Sequence, residues 1–202
     1  MFDRRGFVMF KLKSVAAQLV VACAVAIVTP AAFAQDILIL DTARVIKESK
    51  AGIDMATKVQ QIGATMQGEL KPEQDALRTE KTSLDARVQG KTREQIGQDA
   101  ALVAQLEAYG RKLQTNAAKT DRRARELAAT ENNALYTFKE KMDAAVEKVR
   151  ERRNGKIILA KATTFSNVAD VEITDEVITQ LDQDSPTIVV NRVTLPPPQA
   201  QQ

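Results

Sequence analysis

The sequence predicts an α+β protein that is predominantly α, with a long antiparallel helical hairpin projecting from a small β body. Three observations lead there. At 154–162, "NGKIILAKA" switches abruptly from a charged, Ala-rich helical pattern to a short apolar run suited to a buried strand. The earlier run of similar make-up, "DILIL" at 36–40, lies more than a hundred residues upstream, so the two natural sheet partners flank a helical insertion. Finally, beyond residue 34 the aromatic residues are only Tyr109, Tyr136, Phe138 and Phe165, too few to fill the core of a compact domain.

Residues 1–34 read as a cleaved export signal. Arg4, Arg5, Lys11 and Lys13 form a basic start, Val15 to Val28 is nearly unbroken apolar sequence, and Ala32-Phe33-Ala34 offers small residues at the cleavage positions. "LVVAC" loosely resembles the box before a lipid-modified cysteine, but the following "AVAIVTPAAFA" stays apolar, which argues against it. Without residues 1–34 the basic excess vanishes, leaving 25 basic against 25 acidic residues, so pI gives no ground for a nucleic-acid partner. An exported, periplasmic protein is the expectation.

The β body is expected from 35–41 and 155–190. Asp36 to Leu40 forms its first strand, and Asp41 caps a helix opening at Thr42. Gly52 marks a bend. The arm spans 42–154. On its first helix Val59, Ile62, Met66, Leu70, Leu77, Leu84 and Val88 keep to one narrow side, and the rest is mostly polar. A turn is expected near 89–92, where Gly90 suits the end of one helix and Thr92 with Gln95 a capping box for the next. Ile96, Val103, Leu106, Leu113, Leu127, Phe138, Met142, Val146 and Val149 carry the returning helix. From Asp54 to Gln89 alone the arm would extend about 54 Å, several helix widths, so it must project. Arg150, Arg152 and Arg153 suit the last turn before Asn154-Gly155 ends it.

A hairpin returns its ends to one place, which makes "DILIL" and "KIILA" neighbours. Thr163 to Ser166 is expected as a further strand, Thr174 as the cap of a short helix over about 174–181, and Thr187 to Val193 as extended. Residues 191–202 form a Pro/Gln-rich flexible tail. Three or four short strands with so few large residues make a poor independent sheet, so the body is expected to close by self-association.

Chemistry is scarce. There is no histidine, and the sole cysteine, Cys23, would leave with the signal, which removes His-dependent triads, cysteine nucleophiles and the usual zinc sites; no metal, no cofactor and no enzymatic activity are expected. "GKT" at 90–92 lacks the upstream glycine of a phosphate loop, Asp85 standing there, and sits between helices; it reads as a turn. The densest basic spot is "TDRRARE" at 120–126. Arg122, Arg123 and Arg125 could bind anionic lipid or an acidic client segment, or simply pair with Asp121 and Glu126 on an ordinary surface. Pro72 interrupts the first helix, and counting back from the turn sets it opposite Tyr109-Gly110, so Pro72 and Gly110 are candidate hinge residues.

In order, the signal, the "ILILDTARV" strand-helix start, the charged hairpin and "GKIILAKATTFSNVADVEITDEVITQL" resemble the Skp (OmpH-like) periplasmic chaperones over about 36–182. The resemblance implies a homotrimer in which strands of three subunits complete the β body and three arms extend, jellyfish-like, around a cavity. It implies an ATP-independent holdase that keeps unfolded outer-membrane proteins soluble for delivery to the membrane, with contacts to lipopolysaccharide or anionic lipid through basic residues. The segment beyond Gln183, including "TIVVNRVTLPPP", exceeds the shorter family members. A thin apolar seam supplies many weak contacts and no deep pocket, with Met66, Leu70, Leu77, Leu84, Leu106 and Tyr109 as candidate client-lining residues. The same positions could instead hold the hairpin together. The alternative class is a structural coiled-coil adaptor of an envelope transport or secretion assembly, which usually carries more β sequence before its hairpin than this chain does.

Overall fold

The computed structural model describes residues 37–196. The export signal expected at 1–34 and the end of the tail, 197–202, lie outside the described residues. Strand β1 (Ile37–Leu40) and strand β2 (Ile157–Ala160) pair in parallel, with Ile37 opposite Ile157 and Leu40 opposite Ala160. Parallel strands cannot be joined by a tight turn and need a crossover. Here the crossover is the whole helical arm, which settles why two short strands stand so far apart in sequence.

The chain leaves β1 through Asp41, whose side chain accepts the Arg44 N–H at 3.0 Å and opens helix α1 (Thr42–Glu48). Ser49 ends α1 and begins the long helix α2 (Lys50–Val88), its hydroxyl accepting the Gly52 N–H at 3.1 Å. The elbow is tight because Gly52 has no side chain: a Cβ there would lie 1.8 Å from the Ile46 carbonyl oxygen. At about 1.5 Å per residue, the 39 residues of α2 reach about 58 Å.

The far end of the arm is longer than the turn expected at 89–92. Gly90 takes φ +76°, and the capping box of Thr92 and Gln95 opens a short helix, α3 (Arg93–Gln98). Asp99 then caps helix α4 (Ala100–Arg152). The insertion of α3 starts the returning helix later than a simple turn would and shifts its pairing with α2.

At the other end Asn154 adopts φ 53° and the Gly155 N–H donates to the Arg150 carbonyl at 3.0 Å, a left-handed stop that aims the chain into β2. Gly155 is needed there, since an added Cβ would come within 2.3 Å of Leu38 Cδ1. Helix α5 (Thr174–Asp184) closes the base. Its cap is Ile173, not Thr174; the Thr174 hydroxyl instead accepts the Asp41 N–H at 3.0 Å, satisfying a donor at the end of β1. The strand expected at Thr163 to Ser166 is absent: a 3-10 turn (Lys161–Thr163) follows β2, and among the described residues the sheet has two strands plus one bridge, Ile39 to Glu172.

The core lies at the base. Leu38, Val45, Phe138, Val149, Ile173, Val177 and Leu181 are buried together, and Phe138 is the largest of them. Of the four aromatics beyond residue 34, only Phe138 is used this way, while Phe165 and Tyr136 are exposed.

Candidate functional site

Ion pairs across the arm set its register. Glu80 meets Lys112 at 2.9 Å, Glu73 meets Lys119 at 2.7 Å, and Glu69 meets Arg123 at 3.1 Å, so each step down α2 is matched by an equal step up α4. Among and just beyond these rungs Met66, Leu70, Leu77 and Leu84 are buried, spaced by four or seven residues on one stripe of α2. Leu106 and Tyr109 on α4 are half-buried. Most of the seam is therefore covered by the hairpin itself.

The same register corrects the pairing expected for the hinge residues. Lys119 lies beside Glu73, which sets Pro72 next to Thr120, whereas Gly110 stands near Thr82. The two do not face each other, because α3 delays the start of α4. Pro72 lies inside a continuous α2.

The three arginines of "TDRRARE" do not form one patch. Arg125 turns outward to Asp121 at 2.8 Å. Arg123 and Arg122 turn toward Glu126, a carboxylate with 0% exposure, at 2.5 Å and 3.7 Å. Burial pushes the Glu126 carboxyl up, but the Arg123 hydrogen bond, the Leu195 N–H and the two guanidinium charges outweigh it and hold the group below the ordinary carboxylate range.

The segment beyond α5 was expected as extended over 187–193, but its docking on the arm is what sequence reasoning missed. Residues 186–196 run extended along the base half of the arm and fasten to both helices. The Ile188 N–H donates to Asp54 Oδ2 at 2.8 Å, and Lys58 Nζ donates to the Ile188 carbonyl at 2.8 Å. Arg192 grips Glu69 through two hydrogen bonds of 2.6 Å and 2.9 Å. On α4, Thr130 Oγ1 accepts the Val193 N–H at 2.9 Å and Glu126 Oε1 the Leu195 N–H at 3.1 Å. Glu69 is held below its usual range by Arg192, and Asp54 by Lys58 and the Ile188 N–H. A signal was present: "TIVVNRVTL" is rich in β-branched residues, as extended segments are, and Glu126 and Thr130 sit one turn apart on α4.

The base presents a second distinct surface. β2 is largely open to solvent, and Ile37, Ile157, Leu159, Val168 and Phe165 stand exposed around it, Phe165 wholly so. Parallel sheets are normally covered on both faces. This one is covered on one.

Residues 36–181 match the family model described as "Outer membrane protein (OmpH-like)". Among solved structures the chain is similar to an OmpH-like outer membrane chaperone from Caulobacter crescentus CB15, with a TM-score of 0.68 and 23% identity, covering 80% of this chain and 92% of that one. At that identity the likeness is one of fold. No curated protein matches.

Proposed function

The chain belongs to the OmpH-like family, and from that premise we propose that it is an ATP-independent periplasmic holdase for unfolded outer-membrane β-barrel proteins. A chaperone-type role follows from the family. The observation that carries the finer reading is the division of labour between arm and base. The arm consumes its own apolar seam in the hairpin, while the base leaves Ile37, Ile157, Leu159 and Phe165 uncovered on a two-stranded sheet. Burial of that surface by further copies of the chain, three in the proposed assembly, completes the base and leaves the arms projecting around a shared space. Side chains along each arm, among them the half-buried Leu106 and Tyr109 and the exposed Leu113 and Tyr136, then offer weak contacts that add up over a long client.

Binding of this kind needs no nucleotide and no deep pocket, and release stays fast because every contact is small. Contact with lipopolysaccharide or anionic lipid falls to Arg125, whose pairing with Asp121 is at the surface, whereas Arg122 and Arg123 are engaged with the buried Glu126.

The test is dilution of a urea-denatured outer-membrane barrel protein into buffer with and without this protein, in the absence of nucleotide, following light scattering. The expected result is suppression of aggregation at a few-fold excess, with a purified species whose mass corresponds to three copies. Unchanged scattering would sink the holdase reading, and a stable single copy would sink the shared base.

A further inference from the structure

Residues 186–196 lie beyond the family-matched segment, yet five side chains of the arm hold them, Glu126 and Thr130 fully buried and Asp54, Lys58 and Glu69 nearer the surface. We propose that the groove between α2 and α4 near the base is a binding site for an extended, alternating polypeptide segment, and that residues 187–195 occupy it as an internal stand-in for a strand of a client.

The first support is what the groove reads. Asp54, Lys58, Thr130 and Glu126 all contact main-chain N–H or C=O groups of the strap. A site that grips backbone is indifferent to most of the sequence presented to it, as β-strand recognition requires. Side-chain selectivity is limited to the enclosed position of Ile188 and the Glu69 carboxylate that meets Arg192.

The second support is the pattern of the occupant. Ile188 is buried, Val189 is 70% exposed, Val190 is half-buried and Asn191 exposed, with Arg192 turned inward again. Val193 is half-buried as well, so the phase shifts by one residue before Thr194 faces out and Leu195 in. An outer-membrane barrel chain is a series of about ten-residue segments with the two-residue alternation that the strap shows over 188–192.

The third support is the groove's polar lining. Thr130 and Glu126 are both fully buried on α4, and Thr130 uses its one proton on the Glu126 carbonyl at 2.7 Å, leaving its oxygen free to accept from the strap. A seam made only to join two helices would be better served by apolar residues at both positions. Beside the strap, Val190 and Arg192 line an open cleft together with Lys58, Gln61, Ile62 and Thr65 of α2.

Because the strap is tethered, it competes at high effective concentration, so a lone segment displaces it poorly and a long client engaging several arms displaces it well. The identity of the incoming segment rests on the holdase reading; the existence of the site does not.

The experiment uses the full chain and a fluorescent peptide of residues 186–196. A chain carrying Ile188→Asn and Arg192→Ala, which loosens the strap, is expected to bind the peptide at least about ten-fold more tightly than the unaltered chain. An unlabelled alternating strand peptide from an outer-membrane barrel should displace it, and a peptide of equal composition with its apolar residues in one block should not. In the unaltered chain, saturating strand peptide should speed amide exchange at Ile188, Val193 and Leu195, a readout that does not depend on how the variant folds. Equal binding to both chains, equal competition by both peptides, or unchanged exchange at saturation would overturn the proposal. Loss of aggregation suppression with peptide binding intact would instead overturn the holdase reading alone.

Discussion

The Leu195 amide and the Glu126 carboxylate meet at 3.1 Å, joining backbone near the end of the described chain to a charge buried midway along α4. Glu126 therefore serves two partners at once, the strap and the arginines of its own helix. Replacing it with Ala should leave the guanidinium of Arg123 short of a partner and cost about 1–3 kcal/mol in chemical denaturation, as expected for a buried polar group left unmade. Glu126→Gln, which keeps an acceptor for Leu195, should cost less. Equal losses in the two variants would show that the charge, not the strap, is what Glu126 supports.

Acid should loosen the strap before it harms the arm. Glu126, Glu69 and Asp54 are all held below the usual carboxylate range, so the folded chain binds fewer protons than the unfolded one as pH falls. The stability they contribute is present in full above about pH 4, the ordinary carboxylate value, and is lost below it as the lowered values are passed. The charges facing them are Arg122 and Arg123 from α4, Lys58 from α2 and Arg192 from the strap. Amide protection at Val193 and Leu195 should hold from pH 7 to 5 and fall at more acid pH while helical circular dichroism persists. Simultaneous loss of both signals would contradict the order.

Two glycines of α2 should respond in opposite directions. Gly52→Ala forces a methyl group into the Ile46 carbonyl and must open the elbow between α1 and α2, lowering the melting temperature markedly. Gly68→Ala meets nothing within 4 Å and should stabilise the helix by up to about 1 kcal/mol. Thermal melts of the two single variants check both signs.

Pro72 deprives the Gly68 carbonyl of its helical donor. Pro72→Ala should slow amide exchange in the surrounding turns of α2 and in the part of α4 near Thr120, leaving the surroundings of Gly110 unchanged. A response centred on Gly110 would mean that the register set by Glu73 and Lys119 is wrong.

Much of this architecture was legible from residue patterns. The apolar spacing of Met66, Leu70, Leu77 and Leu84 identified the seam, and the Thr92 and Gln95 pair identified a helix start, because both depend on neighbours within one or two turns. The partnership of "DILIL" with "KIILA" followed from the hairpin. What failed depended on long-range geometry. Residues 93–98 read as the first turns of the returning helix, and the Asp99 cap that sets them apart as α3 and displaces the Pro72 and Gly110 pairing acts only once the chain is folded. The 3-10 turn after β2 replaced an expected strand because nothing pairs with Thr163 to Ser166 in a single chain. The strap was expected as extended over 187–193 and as tail beyond, since its pattern declares an extended segment but not which surface will receive it.

Because β1 and β2 are adjacent in the sheet and the whole arm is inserted between them, the arm behaves like an adjustable pole mounted on a fixed socket. Matched insertions on either side of α3, a whole number of turns each, would lengthen the pole without disturbing the socket, and an unmatched one would twist every rung beyond it. Reach can thus be rescaled by simple duplication, while the mounting and the fastening near its foot stay as they are.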